Sequence, residues 1–193
     1  MGAACEGRRT TVAVVGDSDL DTGSAEAAFA EALGRALVDE GYVLVCGGRG
    51  GVMEAACRGA RSSPAWARGS IVGILPGHDP ELANDFVDIV IPTGLDVARN
   101  AIVAHADAVI AVGGGAGTLS EMALAWQIRR LVIAFRGRGW AGRLADQRLD
   151  ERLRHPHVPD DRVWGVDRAE EAIRVLRDRL PAYRTDYPGI GRA

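Results

Sequence analysis

The residues best suited to chemistry are Gly113–Thr118, a glycine-rich segment that joins an apolar run to a helix-forming stretch. Four of the five residues from 113 to 117 are glycines, which is more than a tight turn between a strand and a helix requires. Glycines let consecutive backbone N–H groups point towards an anion, and the start of a helix favours negative charge. A phosphate site is therefore favoured over a turn that only packs the helix. Its predicted ligands are Gly114, Gly115, Gly117 and Thr118.

Glu121 lies three residues beyond Thr118 and is expected in the first turn of the following helix. A carboxylate at this position has two interpretations. The spacing Thr-x-x-Glu matches a capping box, in which the two side chains cap one another's backbone N–H groups. Alternatively, the carboxylate acts on a ligand that the glycine loop holds beside it. The residues alone leave both interpretations open.

A second glycine loop, at residues 47–51, also follows an apolar run. It predicts a weaker anion site, in which Arg49 either complements a phosphate or is simply solvated. The candidate ligand contacts in this loop are Gly47, Gly48 and Gly50. Arg99 and Asn100 form a further polar pair, and taken alone such a pair is typical of an exposed surface.

The sequence contains no lysine, so arginine supplies all 23 of its Lys+Arg side chains. Schiff-base chemistry, including that of pyridoxal phosphate, needs a lysine amine and is excluded. A Walker phosphate loop is excluded for the same reason. The dinucleotide fingerprint G-x-G-x-x-G also fails, since Met53 and Thr118 occupy its third glycine position in the two loops. Asp17 and Asp19 follow the first apolar run where a pyrophosphate would lie, so a nicotinamide dehydrogenase is not expected.

Length and composition indicate one domain over residues 1–193, with tails at 1–9 and 181–193. The net charge of −3 argues against a broad nucleic-acid surface. No apolar run approaches the ~20 residues of a membrane span, and residues 1–10 lack the apolar segment of a signal peptide, so a cytoplasmic protein is expected. The three cysteines are expected to be buried thiols, and His155 and His157 to lie in a loop rather than hold a metal.

Short β-type runs alternate with amphipathic helical stripes along the chain. Strands are predicted at Thr10–Val15, Tyr42–Cys46, Ile71–Leu75, Phe86–Ile91, Ala108–Val112 and Leu131–Phe135. Helices are predicted at Ser24–Glu40, Val52–Ala60, Leu95–Ala106, Leu119–Ile128 and Ala169–Leu180. Residues 136–165 are rich in arginine and glycine and give no usable signal.

This alternation predicts an α/β fold, with a Rossmann-like, doubly wound and mainly parallel sheet covered by helices on both faces. In such a sheet every strand-to-helix loop lies at the carboxyl edge, and ligands bind at the crevice where the strand order reverses. We therefore expect the two glycine loops, although distant in sequence, to converge on one site.

Five segments follow one another along the chain: Gly47–Met53, Ile74–Gly77, Ile91–Gly94, Arg99–Asn100 and Gly113–Glu121. In this order they resemble the Lonely Guy (LOG) superfamily of Rossmann-like proteins, once widely labelled lysine decarboxylases. The resemblance covers roughly residues 11–180, and the missing lysine contradicts the decarboxylase label. Its glycine–threonine–glutamate motif is the most specific part.

The characterised enzymes of that superfamily are phosphoribohydrolases, which cleave nucleoside 5′-monophosphates to free base and ribose 5-phosphate. The resemblance implies Arg99 and Glu121 as catalytic residues, Asn100 as a ligand contact, and the phosphate on the glycine loop. Departure of the base builds positive charge on the ribose, and a carboxylate beside the ring stabilises that charge or activates water. A homodimer or higher homo-oligomer is also implied, with a phosphorylated nucleotide or pterin as the small-molecule partner and no metal or cofactor.

Two departures from the motif resemble a neighbouring branch of the superfamily. Gly113 stands where the phosphoribohydrolases have proline, and Asn100 stands where the plant-type enzymes have lysine. That branch includes molybdenum-cofactor carrier proteins, which bind a phosphorylated pterin and need no hydrolysis. Hydrolysis of a nucleoside 5′-monophosphate is thus the leading expectation, and a non-catalytic carrier or sensor of a phosphorylated ligand is the alternative.

Overall fold

A parallel sheet of seven strands is the framework of the computed structural model, which describes residues 7–184. The strands are β1 (Thr11–Gly16), β2 (Val43–Cys46), β3 (Ile71–Leu75), β4 (Ile89–Pro92), β5 (Ala108–Val112), β6 (Leu131–Phe135) and β7 (Trp164–Val166). Their order is β4-β3-β2-β1-β5-β6-β7, and every neighbouring pair is parallel. The chain moves outwards from β1 in one direction and from β5 in the other, so the order reverses between these two strands. The predicted doubly wound fold is confirmed.

Helices cover both faces of the sheet. They are α1 (Ala25–Asp39), α2 (Val52–Arg61), α3 (Asn100–Ala104), α4 (Ala116–Gln127), α5 (Gly139–Leu144) and α6 (Ala169–Tyr183). One face packs against α1, α2 and α6, and the other packs against α3, α4 and α5. Every residue of β5 and β6 is buried between these two layers, which explains why both strands are continuous apolar runs.

Close contact between α1 and α2 depends on two glycines that face the opposite helix. A Cβ at Gly34 would lie 1.9 Å from the carbonyl oxygen of Ala56, and a Cβ at Gly59 would lie 1.9 Å from that of Glu31. The two backbones therefore touch directly. This contact holds α2, and with it the preceding glycine loop, against the first half of the sheet.

The predicted helix Leu95–Ala106 is wrong in its first half. The chain forms a 3₁₀ turn at Asp96–Arg99, and α3 starts only at Asn100. Asp96 has a φ of 50°, in the left-handed region, so no α-helix can continue through it. Arg99 thus ends the 3₁₀ turn and Asn100 opens the α-helix.

The C-terminal third differs from the prediction at two places. Within residues 136–165, where no usable signal was found, α5 forms and β7 begins. In addition, α6 continues through Pro181 to Tyr183, beyond the predicted start of the tail. Tyr183 is buried and its hydroxyl donates to Asp161 at 2.6 Å, which fixes the last helical turn. Residues 1–6 and 185–193, which include most of both predicted tails, lie outside the described residues.

Arg154 anchors the long loop between α5 and β7. Its guanidinium donates two hydrogen bonds to Asp161, at 2.9 and 2.8 Å, and lies 3.4 Å from the centre of the Trp126 ring. Neighbouring His155 is buried with Nε2 at 3.0 Å from the carbonyl oxygen of Arg129, so it belongs to this packing. Within residues 7–184, no cluster of three or more His, Cys, Asp or Glu is placed to hold a metal ion. No helix in this range is long and apolar enough to cross a membrane.

Candidate functional site

The glycine loop after β5 leads directly into α4 at the point where the strand order reverses. Gly113 and Gly114 have φ angles of 63° and 91°, a region that favours glycine, and Gly115 precedes the helix without a side-chain cap. Residues 115–117 are exposed. The first N–H groups of a helix have no acceptor within it, so Gly115 and Gly117 present accessible donors at the positive end of α4. This arrangement suits an anion.

The deeper part of the same loop is fixed by the protein itself. The N–H of Gly114 donates to Asp17 Oδ2 at 3.0 Å. Thr118 is buried, and a Cβ at Gly114 would lie only 2.2 Å from Thr118 Oγ1. Among the four predicted phosphate ligands, Gly115 and Gly117 therefore face outwards, whereas Gly114 and Thr118 pack against one another.

Glu121 does not cap the helix. Because α4 starts at Ala116, earlier than predicted, Glu121 lies in the second turn and the capping-box interpretation is wrong. Its Oε1 instead accepts a hydrogen bond from Arg99 Nη1 at 2.8 Å. The side chains of Glu121 and Arg99 are only 8% and 14% exposed, so this ion pair is largely shielded from water. The two residues that the family resemblance singled out thus contact each other.

The Glu121 carboxyl is poised to change protonation near neutral pH. Burial raises its pKa to about 7, although the charge and hydrogen bond of Arg99 act in the opposite direction. Arg99 Nε is buried and has no hydrogen-bond partner among the described residues. Arg99 and Glu121 therefore form a buried pair of polar groups at the glycine loop.

The second glycine loop meets this pair, which confirms the expected convergence of the two loops. A Cβ at Gly47 would lie 2.7 Å from Arg99 Nη2, so the guanidinium rests on the glycine backbone. Gly48 is turned inwards: its N–H donates to Cys46 Sγ at 3.3 Å and its carbonyl accepts from the N–H of Asn84 at 2.9 Å. Gly50 is half-buried. Gly47 and Gly48 thus shape the floor of the site with backbone that is closely packed.

Asn100 is buried, and the interpretation of Arg99–Asn100 as an exposed pair is wrong. Its Nδ2 donates to Ser120 Oγ at 2.6 Å, and that hydroxyl donates to the carbonyl oxygen of Gly117 at 2.8 Å. The bond joins α3 to α4 directly beside the Arg99–Glu121 pair. Asn100 therefore holds the two helices in register, a role that the sequence did not reveal.

Three further charged residues surround the glycine loop. Arg138 donates its backbone N–H to Glu26 Oε1 at 3.2 Å, and its Nε lies 4.0 Å from Asp17 and 3.9 Å from Glu26. The Arg138 side chain is 56% exposed. In the sequence, Asp17 is recognisable only as an obstacle to a pyrophosphate, and Arg138 lies in the stretch that carries no pattern. Contact with the loop is visible only in three dimensions.

A model of the SLOG cluster4 family matches residues 9–173. The chain belongs to this family. The family is consistent with the LOG-type resemblance that the glycine–threonine–glutamate motif indicated.

Relatives of this SLOG protein include solved structures. A molybdenum cofactor binding protein from the phototrophic bacterium Rippkaea orientalis is 34% identical, with a TM-score of 0.70 over 89% of this chain and 97% of that one. A molybdenum cofactor carrier protein from Chlamydomonas reinhardtii is 30% identical, with a TM-score of 0.71 over 91% of this chain and 99% of that one. An uncharacterized protein of Archaeoglobus fulgidus is 44% identical over 115 residues, which are 59% of this chain and 72% of that protein.

Proposed function

We propose that this SLOG protein is a cytoplasmic carrier that binds a phosphorylated pterin, such as the molybdenum cofactor, without cleaving it. The observation that carries the proposal is the start of α4, where Gly115 and Gly117 present exposed backbone donors. A phosphate there gains hydrogen bonds and the favourable end of the helix dipole, together worth about 1–2 kcal/mol beyond its other contacts. The Rippkaea and Chlamydomonas relatives, which match over nearly their whole lengths, support a ligand of this class.

The state of Glu121 favours binding over hydrolysis. To stabilise a cationic ribose, a carboxylate must face the sugar with its negative charge uncompensated. Glu121 is instead bonded to Arg99 and nine-tenths shielded from water, so its charge is already neutralised by a neighbour. The pair is better suited to a fixed floor beneath a ligand than to attack on it.

A matched pair of variants tests the phosphate site. No atom of the described residues lies within 4 Å of a Cβ at Gly117. Both Gly117→Asp and Gly117→Asn therefore fit, and an acidic residue in the first turn favours the helix. We expect Gly117→Asp to lower affinity for the phosphorylated pterin at least about tenfold by charge repulsion, and Gly117→Asn to change it far less. Equal affinities of the two variants would refute a phosphate at this helix start.

The carrier proposal also predicts what the ligand becomes. Mass spectrometry of the protein denatured after incubation with phosphorylated pterin is expected to recover the ligand intact. Glu121→Gln is expected to retain binding, because glutamine still accepts the hydrogen bond from Arg99. Recovery of cleaved ligand would count against a carrier.

A phosphoribohydrolase is the second candidate, and the pKa of Glu121 favours it. A carboxyl that titrates at about pH 7 is suited to general acid–base catalysis at neutral pH. The test is chromatography after incubation with AMP, GMP, CMP and a cytokinin ribotide. Release of free base by the wild type, lost in Glu121→Gln, would establish the enzyme and displace the carrier. If the wild type releases no more base than the variant does, a phosphoribohydrolase acting on these substrates is excluded.

We also propose that two copies of the chain associate through the β4 edge. Among the described residues, the connection from β3 to β4 carries a 3₁₀ turn at Pro80–Leu82 and no α-helix. Ile89 and Ile91 of β4 and Val97 of the following 3₁₀ turn are exposed. Parallel sheets are otherwise covered on both faces, so a second copy is the simplest cover. Light scattering should give a dimer for the wild type and a monomer for Val97→Glu. Leu153→Glu, an exposed apolar site before β7, is the control that should stay dimeric.

A further inference from the structure

Two buried thiols bracket the second glycine loop. Cys46 ends β2, Cys57 lies in α2, and their Sγ atoms are 3.6 Å apart. Both are free and buried. A disulfide requires a separation of about 2.05 Å, so the sulfurs would have to approach by roughly 1.5 Å. All residues between them, including Gly47 and Gly48, would then lie within one closed ring.

The two thiols are chemically unequal. The two thiols form a hydrogen bond in which either sulfur can donate, and the N–H of Gly48 donates to Cys46 Sγ at 3.3 Å. The hydrogen bond with Cys57 lowers the pKa of Cys46, whereas the same bond and burial raise the pKa of Cys57. Cys46 is therefore the better nucleophile of the pair, since the thiolate is the reactive form.

We propose that Cys46 and Cys57 are an oxidation site that forms a reversible disulfide in response to a peroxide. The Cys46 thiolate attacks one peroxide oxygen and the O–O bond breaks, which leaves a sulfenic acid and releases hydroxide that takes up a proton to form water. The Cys57 sulfur then attacks the Cys46 sulfur, the S–O bond breaks, and the second water leaves with the Cys57 proton. The two thiols lose two electrons and the peroxide gains both.

The disulfide changes the candidate site because Cys46 adjoins the residue on which Arg99 rests. Arg99 Nη2 packs against the backbone of Gly47, and Arg99 Nη1 holds Glu121. A movement of Cys46 towards α2 displaces Gly47, and Arg99 follows its support. The functional meaning of this coupling rests on the proposed ligand site, whereas formation of the disulfide does not.

Peptide mapping tests the disulfide on the intact protein. The chain has no lysine, and trypsin cuts after Arg35, Arg49 and Arg58, which places the two thiols on separate peptides, 36–49 and 50–58. After treatment with hydrogen peroxide, we expect these peptides to be joined with the loss of two hydrogens, and separated again by dithiothreitol. A Cys5→Ser background removes the third thiol. The proposal would be overturned if both thiols could still be alkylated after the treatment. It would also be overturned if Cys46 were oxidised beyond sulfenic acid without a cross-link.

A second measurement tests the coupling without any ligand. The Glu121 carboxyl titration, followed by NMR, is expected to shift by at least about 0.7 pKa units between the reduced and oxidised protein, a fivefold change in proton affinity. Cys57→Ser cannot form the disulfide, so its Glu121 titration should not shift on oxidation. In this variant the Cys46 sulfenic acid should persist and react with dimedone. An unchanged Glu121 titration in the cross-linked wild type would refute the coupling. Since neither arm uses a pterin, failure here is distinct from failure of the carrier proposal.

Discussion

Replacement of Glu121 by glutamine should change how the stability of the protein depends on pH. The carboxyl is buried against Arg99, and its pKa of about 7 lies well above the ordinary value of 4.5. Between these two values the folded protein keeps a proton that the unfolded chain has released. The wild type therefore loses stability as pH rises through this window, and the loss is complete above pH 7. Glutamine carries no such proton.

The size of the effect follows from the two pKa values. One pKa unit corresponds to about 1.4 kcal/mol, so the whole window is worth about 3 kcal/mol. Between pH 5 and pH 8, which spans most of it, the free energy of unfolding of the wild type should fall by about 2–3 kcal/mol relative to that of Glu121→Gln. The stability of the variant relative to the wild type is thus expected to rise up to about pH 7 and then to level off.

Urea unfolding at closely spaced pH values measures this difference directly. Glu31→Gln, which removes a carboxylate that is 48% exposed, controls for the change in net charge. Its stability should run parallel to that of the wild type across the range. If the Glu121→Gln and wild-type curves also run parallel, the carboxyl is not a buried acid that titrates near neutrality, and burial does not outweigh the charge of Arg99.

Two further substitutions test the packing that positions the site. Arg154→Met leaves the buried Asp161 without its cationic partner and should cost about 3–5 kcal/mol of unfolding free energy. Arg58→Met, at an exposed ion pair, should cost under about 1 kcal/mol. Comparable losses in urea unfolding would refute the assignment of Arg154 as a buried anchor. Gly34→Ala places a methyl group 1.9 Å from the carbonyl oxygen of Ala56. Overpacking should cost about 1–3 kcal/mol, which exceeds the roughly 1 kcal/mol that alanine gains over glycine in a helix. Calorimetry should therefore show a lower Tm. An unchanged or higher Tm would show that the two helices can move apart without cost.

The order of elements in the first two thirds of the chain was predictable because buried parallel strands leave an unambiguous pattern. β5 and β6 are uninterrupted apolar runs, and a glycine loop and a helix follow β5. Parallel topology then implied that the two glycine loops meet, and the contact between Gly47 and Arg99 confirms it. What carried this prediction was the geometry of the sheet rather than any single motif.

Other features depend on contacts between residues distant in sequence. The loop that carries Arg154 has no apolar period, and a buried ion pair and an aromatic ring hold it in place. Glu121 matched a local capping pattern, yet an arginine 22 residues earlier binds its carboxyl, and burial raises its pKa. Asn100 looked like a surface residue because the pattern around it does not record that Ser120 lies opposite. Pairwise partners of this kind leave no periodic trace.

Asp17 contributes a carboxylate to the crevice and is hydrogen-bonded to both of its sides. Its carbonyl accepts from the N–H of Val52 at 2.9 Å and its carboxylate accepts from that of Gly114, so one residue is bonded to both loops. A ligand with one terminal phosphate at Gly115 and Gly117 leaves Asp17 undisturbed. A second phosphate joined to the first and directed towards β1 would bring like charges together at short range. We therefore expect the proposed site to distinguish ligands by how many phosphates they carry in a row.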